Sequence, residues 1–304
     1  MVDIMEKVSI LHLITAAKNA SPFDVNMAYD AGFDKIMPYT NVTLQEVAGL
    51  AQDAIFSRSS SGIKREAVFI GGRDIDLAMD MQSSAKASMF APFEISTFAD
   101  PSGAFTTAAA MMAKVEHQLI ADHGHGFTGR KVTVFGAGGP VSGCAAVIAA
   151  LAGAVVELVS HHDFASMQSK TAAYNARYKI NATAVDGATE QAKESIVANT
   201  EVIICCAAAG VRVLNLVQLS QCASIKVMAD VNAVAPSGIE GIDAFANGDV
   251  IKGTKIAGIG ALAIGQLKYK TQQDLLKKML VSDKAVHLAF NEAFAMAREI
   301  ATTQ

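Results

Sequence analysis

The chain has 304 residues, 51% of them hydrophobic, with 25 basic against 29 acidic side chains and a formal charge of −4. That composition excludes a disordered chain, and the small net charge leaves no electrostatic footprint for nucleic acid or an anionic membrane. The length accommodates two domains, and four cysteines without CxxC spacing argue against a disulfide scaffold or zinc knuckle.

The first residues carry acidic side chains and lack a basic stretch ahead of a signal core. No apolar run approaches the roughly 20 residues that span a bilayer, so a cytoplasmic location is expected. Val8 to Thr15 is an apolar run suited to a buried strand. Asp24 to Ala31 reads as a helix closed by Gly32, and Lys35 to Tyr39 as a second strand. Thr43 to Phe56 is an amphipathic helix, Ala67 to Ile70 a third strand ending at Gly71-Gly72, and Asp74 to Met89 a third helix. This alternation predicts parallel βαβ units. Thr106 to Ala121, rich in Ala and Met, is a long bridging helix.

Beyond the loop from His123 to Gly129, Lys131 to Phe135 is a short buried strand that runs into Gly136-Ala-Gly138-Gly139-Pro140-Val141-Ser142-Gly143. An apolar helix follows from Cys144, then a strand from Ala154 to Val159 and a helix from Phe164 to Tyr178. Further strands are expected near Ala182 to Val185, Val202 to Ala207 and Ile225 to Ala229, with a helix from Thr189 to Ala198. This order predicts a doubly wound Rossmann domain. Cys205 and Cys206 lie in its fourth strand as ordinary buried thiols. From Leu262 onward the chain is helical and is expected to return to the first domain.

A dinucleotide site needs a strand, a turn without side chains and a helix N-terminus facing the pyrophosphate. Gly136, Gly138, Gly139 and Ser142 sit where that geometry asks, with Pro140 and Val141 between them. Strict G-x-G-x-x-G is not met, because Val141 replaces the third glycine. The second strand ends in Ser160, His161 and His162 rather than in a carboxylate for the ribose; Glu157 falls early and Asp163 late. Nothing there repels a 2′-phosphate, so NADP is allowed beside NAD. The two histidines read either as phosphate partners or as loop decoration. By the rule that ligands sit at carboxyl ends of parallel strands, Cys206 and Ala207 are expected to line the nicotinamide ribose through their backbone, and Asn232 to make a polar contact near the nicotinamide.

Several stretches together carry a resemblance. They are Ser21-Pro-Phe-Asp24-Val-Asn26, Tyr39-Thr-Asn41-Val-Thr43, Phe69-Ile-Gly71-Gly72 and Asp100-Pro-Ser102-Gly103-Ala-Phe105-Thr106-Thr107. Later come Asp230-Val-Asn232-Ala-Val-Ala-Pro236 and Gly258-Ile-Gly260-Ala-Leu-Ala-Ile-Gly265, running on to Lys268. This set resembles the NAD(P)-dependent methylene-tetrahydromethanopterin dehydrogenases of methylotrophic bacteria, over nearly the whole chain. The resemblance implies an α/β pterin-binding domain, residues 1–122 with 269–304, and a Rossmann domain, residues 123–268, facing across a cleft. It also implies hydride transfer from a reduced pterin to NAD(P)⁺ in one-carbon metabolism, and a homo-oligomer, trimeric or hexameric.

Under that resemblance Asp24 and Asp100 are candidates to contact the pterin or its developing cation, or else to cap a helix and start a turn. Ser102, Thr106 and Thr107 are expected at the substrate, although the threonines equally suit an N-terminal cap. Lys268 matches the lysine expected to face the site, against the default of a solvated lysine. Gly260 belongs to the expected dinucleotide contacts. His161 and His162 replace the basic pair of NADP-specific members, which points to dual use of NADP and NAD.

The rival readings are weaker in the residues. His123 and His125 lack a further ligand pair for a metal. Cys206 and Ser142 lack a histidine partner for a nucleophile. A dinucleotide-binding redox sensor without turnover, and a methylene-tetrahydrofolate dehydrogenase, stand as alternatives.

Overall fold

The computed structural model describes residues 8–59, 61–220 and 222–303. In chain order its elements are β1 (Ile10–Ile14), α1 (Pro22–Ala31), β2 (Lys35–Tyr39), α2 (Val47–Phe56), β3 (Glu66–Ile70), α3 (Ile75–Ala87), β4 (Ser96–Ala99) and α4 (Ala104–His123). There follow β5 (Lys131–Phe135), α5 (Pro140–Leu151), β6 (Val155–Ser160), α6 (Phe164–Tyr178), β7 (Thr183–Asp186), α7 (Glu190–Ala198) and β8 (Val202–Cys205). The rest are α8 (Leu216–Ser220), β9 (Val227–Asp230), β10 (Asn247–Val250), β11 (Ala257–Ile259), α9 (Ala261–Val281), β12 (His287–Leu288) and α10 (Phe290–Ala301).

The chain forms two compact units, Met1–Thr106 with Tyr269–Met296, and Thr107–Lys268 with Ala297–Gln304. The bridging helix is therefore divided: α4 begins in the first unit and continues in the second from Thr107.

The first unit is a five-stranded sheet in the order β12-β4-β3-β1-β2, with every pairing parallel. β3 and β4 are buried along their whole length, as strands covered by helices on both faces must be. Phe69 and Phe98 meet edge to face at 5.4 Å in its core. α1 shows why its ends fall where they do. Ser21 caps its first turn, Pro22 occupies the first helical position, and Gly32 at φ 105° closes it in the left-handed conformation. The helix therefore starts two residues ahead of the expected Asp24, and the capping oxygen belongs to Ser21.

The second unit is a seven-stranded sheet ordered β10-β11-β9-β8-β5-β6-β7. Six strands run parallel and β10 is an antiparallel edge. From β5 the chain proceeds outward through β6 and β7, then returns to β8 and winds the other way. The switch point lies between β5 and β8, where this architecture places its ligands. The α/β class and the doubly wound sheet agree with the sequence reading. β4, β10, β11 and β12 are strands that the sequence pattern does not announce, because each is short and none carries a long apolar run.

Candidate functional site

In the second unit, β5 ends at Phe135 and Gly136 takes φ +73°. A Cβ on Gly136 would stand 2.5 Å from the Ala207 amide nitrogen, so the glycine lets the turn lie directly on the Cys206–Ala207 peptide. Gly138 is the opposite case, since a Cβ there would meet nothing within 4 Å. Gly139 is the N-cap of α5, Pro140 fills the first helical position, and no side chain caps the helix. The Ser142 hydroxyl turns inward and donates to the Gly139 carbonyl at 2.7 Å. It braces the turn, whereas the sequence reading expects it to contact cofactor. The amides of Val141 and Ser142 are left at an uncapped helix N-terminus, which carries partial positive charge and attracts a diphosphate. This open turn fits the pyrophosphate of a dinucleotide.

The missing third glycine has a substitute two residues later. A Cβ on Gly143 would run into the Tyr174 hydroxyl and stand 2.8 Å from its Cζ, so Gly143 is what lets α6 pack closely on α5. At the tip of β6, Ser160 is 3% exposed, so its side chain is not offered at the surface, and its carbonyl accepts from the Gly187 amide. His161 and His162 are exposed, with ring centroids 4.3 Å apart. Glu157 pairs with Lys131 at 2.8 Å, and Asp163 caps α6 by accepting from the Ser166 amide. The side chain that does reach the turn is one the sequence reading passes over. Lys170 of α6 donates from Nζ to the Gly138 carbonyl at 2.8 Å.

Past the switch point, the carboxyl ends of β9 and β11 border a cavity of roughly 220 Å³ lined by Asp230, Asn232, Asp243 and Gly260 among others. Asn232, expected to make a polar contact near the nicotinamide, uses its amide here to join two loops. Its Oδ1 accepts from Val234 and Gly210, and its Nδ2 donates to the Pro236 and Ala208 carbonyls. Asp230, 1% exposed, accepts from the Asn232 and Ile239 amides, and burial raises its carboxyl above the ordinary range. A Cβ on Gly260 would stand 2.5 Å from the Ala244 carbonyl, so this glycine serves backbone packing. Cys206 and Ala207 are half-buried at the end of β8.

In the first unit the carboxyl ends of β1, β3 and β4 gather Thr15, Asp24, Gly71, Gly72, Asp100 and Ser102. Asp24 is 4% exposed, with its side chain turned inward to accept from Gln272 Nε2 of α9 at 3.3 Å. Gln272 is fully buried and carries no sequence signal beyond its helix. The Ser102 hydroxyl donates to the Gly72 carbonyl at 2.7 Å, and Ser102 itself takes φ 54°. Asp100 is fully buried and caps α4: it accepts from the Phe105 and Thr106 amides at 2.9 and 3.2 Å and from the Thr106 hydroxyl at 2.6 Å. Thr106 is thus held by Asp100, and Thr107, where the second unit begins, is half-buried. Beside these loops a cavity of roughly 220 Å³ is lined by Ala16, Ala17, Gly71, Gly72, Leu77 and Met81. Lys268, half-buried on α9 one helical turn before Gln272, belongs to the second unit, whose first segment it ends before the chain re-enters the first unit at Tyr269.

Among the described residues no group of three or more His, Cys, Asp or Glu is placed to hold a metal ion, and no helix is long and apolar enough to cross a membrane. His125 Nε2 instead faces the Arg130 guanidinium at 3.2 Å.

Residues 22–102 match the family described as methylene-tetrahydromethanopterin dehydrogenase, N-terminal. The chain is 42% identical to an NAD(P)-dependent methylenetetrahydromethanopterin dehydrogenase of Methylorubrum extorquens, covering 96% of this chain and 99% of that protein. It is 32% identical to the bifunctional protein MdtA of the same organism, over 92% and 95% of the two chains. Among solved structures, ornithine carbamoyltransferase from Pyrococcus furiosus aligns with a TM-score of 0.52 at 12% identity, covering 89% of this chain and 84% of that one, a likeness of fold alone.

Proposed function

The chain belongs to the NAD(P)-dependent methylenetetrahydromethanopterin dehydrogenase family, and from that membership we propose that it oxidises methylene-tetrahydromethanopterin to the methenyl cation, with NAD(P)⁺ reduced to NAD(P)H. The observation that carries this reading is the 42% identity running almost end to end through both chains. In the reaction the C–H bond of the methylene bridge breaks, and its electron pair leaves with the hydrogen as hydride. The pterin nitrogens then share the positive charge left on carbon. Bound NAD(P)⁺ supplies the hydride acceptor. No proton has to be moved, so the protein contributes chiefly position and electrostatics.

The residues divide that work. The N-terminus of α5 holds the pyrophosphate, and Gly136, Gly138 and Gly139 keep side chains out of its way. Asn232 fixes the loops after β8 and β9. Asp24, tied to Gln272, offers a buried carboxylate in the first unit where positive charge develops. Lys268 grips a pterin oxygen or polar tail. Asp100 acts through α4 as a positioning residue for Ser102, Thr106 and Thr107. Both NAD and NADP are used, because β6 itself ends in Ser160, His161 and His162 rather than in a carboxylate for the ribose, and Glu157 and Asp163 are engaged elsewhere. Exposed Phe56 and Phe90, packed with half-buried Phe93 at centroid distances of 5.7 to 5.9 Å, support assembly into a homo-oligomer.

The test is turnover on methylene-tetrahydromethanopterin and on methylene-tetrahydrofolate, each with NAD⁺ and NADP⁺. Clear preference for the methanopterin is expected. Equal or faster oxidation of the folate would reassign the carrier. Dinucleotide binding with no reduction on either carrier would make the chain a sensor.

A further inference from the structure

Lys170 lies ten residues past the tip of β6, beyond the stretch where dinucleotide preference is ordinarily read from sequence. Its placement follows from how α6 packs. Gly143 of α5 and Tyr174 of α6 are in close contact, which brings the two helices together along one line. Lys170 stands one turn before Tyr174, so both project from the same face of α6 toward α5. Helical side chains lean toward their own N-terminus. The result is an ammonium delivered to the glycine-rich turn, 2.8 Å from the Gly138 carbonyl.

The sheet order says which part of a dinucleotide meets that ammonium. Ligands of this architecture straddle the switch point, with the adenosine half over the strands that follow β5 outward and the nicotinamide half on the other side. α6 connects β6 to β7, so Lys170 belongs to the adenosine half. At the tip of β6, where the ribose 2′ position falls, the exposed side chains are His161 and His162. The neighbouring carboxylates each have a partner within the fold, and Asp186, which pairs with Ser160 across the ladder, accepts from the Ala188 amide at 3.0 Å. Asp163 caps α6, Glu157 pairs with Lys131, and Glu190 is held by Lys193 and Gln218 at 2.8 Å each. Lys170 itself has no carboxylate partner among the described residues, and its partner in the free protein is a neutral carbonyl. A phosphate dianion is a stronger acceptor than that carbonyl.

We propose that Lys170 is the cation that recognises the adenosine 2′-phosphate, exchanging the Gly138 carbonyl for a phosphate oxygen, and that it is the residue through which this chain accepts NADP. The proposal rests on the dinucleotide reading of the turn. It differs from a basic pair at the strand tip in both position and mechanism, because the cation comes from the helix and is parked on the turn beforehand.

The test is equilibrium binding by the full-length protein, with turnover left aside. NADPH and NADH are titrated by nicotinamide fluorescence, which the absence of tryptophan leaves free of indole energy transfer. In parallel, adenosine 2′,5′-bisphosphate and adenosine 5′-monophosphate are compared by the shift each produces in Tm. Lys170→Ala is expected to weaken NADPH about tenfold while leaving NADH unchanged, since the contact is charge-assisted but partly solvated. It should also erase the advantage of the bisphosphate over the monophosphate. Lys170→Arg should retain most of the NADPH affinity. Equal weakening of NADPH and NADH would place Lys170 on the shared pyrophosphate and overturn the proposal. Unchanged binding of both would overturn it too, with the dinucleotide reading intact. A wild-type protein that binds neither would remove that reading, and the proposal with it.

Discussion

Gly136 and Ala207 touch backbone to backbone: a Cβ on the first would stand 2.5 Å from the amide nitrogen of the second. Gly136 also holds φ +73°. Gly136→Ala therefore meets both a strained conformation and a wall of main chain, and is expected to cost about 2 kcal/mol or more. Gly138→Ala is the contrasting variant, because its Cβ enters open space. It should keep wild-type Tm and lose dinucleotide affinity, as the new methyl occupies room meant for ligand. Thermal unfolding and NADH titration of both variants check this. A Gly138→Ala protein that binds NADH normally would mean the turn does not approach the pyrophosphate.

Gly143 makes the second pair. Gly143→Ala is expected to destabilise by about 2 kcal/mol, since overpacking against Tyr174 forces the helices apart. Tyr174→Phe removes the hydroxyl that the methyl would strike and should recover part of the loss. A double-mutant cycle by urea denaturation measures the coupling. Strict additivity would contradict the packing account.

Asp100 is predicted to matter through α4. Asp100→Ala leaves the Phe105 and Thr106 amides without their acceptor and should cost about 2 kcal/mol, with Asp100→Asn costing less. In the Asp100→Asn protein, KM for the pterin is expected to stay near wild type. A large rise in KM at full stability would show that the carboxylate touches substrate.

His287 gives an acid-side signature. Burial first, and the Lys86 charge second, hold its imidazole below the ordinary value of 6.5. Its contact with the Thr97 hydroxyl at 3.0 Å is made within the first unit. The folded protein thus binds this proton less readily than the unfolded chain. The contribution to stability is complete above pH 6.5 and declines as the pH falls below it. Urea midpoints measured across that range should drop toward acid, and His287→Gln should flatten the slope. An unchanged slope would assign the acid limb to other groups.

Lys268→Ala is expected to lower turnover without lowering Tm, because the residue is half-buried on a helix whose packing comes from Leu267, Leu275 and Leu276. Wild-type rates with normal stability would remove Lys268 from the reaction.

How much of this was legible in the residues varies with the physics involved. The strand, turn and helix around Gly136 could be read because glycines and an apolar run report local geometry. Ser142, Asp100 and Asn232 could be located but not assigned. Their polar atoms point as readily at a neighbouring loop as at a ligand, and only coordinates choose. Gln272 and Lys170 were invisible for another reason. Each is an ordinary polar residue on an amphipathic helix, distinguished only by what another element brings within 3.3 Å of it. Gly143 was present in the motif, but its meaning depends on Tyr174, 31 residues later. β4 and β10 to β12 escaped because none carries an apolar run like that of the equally short β8: they read Ser-Thr-Phe-Ala, Asn-Gly-Asp-Val, Ala-Gly-Ile and His-Leu.

The amide of Asn232 reaches carbonyls on both Ala208 and Pro236 and is in turn approached by the Gly210 and Val234 amides. Two segments that leave different strands therefore share one fate. Whatever orders residues 208–210 also quiets 232–236, and whatever loosens one frees the other. Hydrogen exchange on the two segments should accordingly rise and fall together, as if they were a single loop written in two places along the chain.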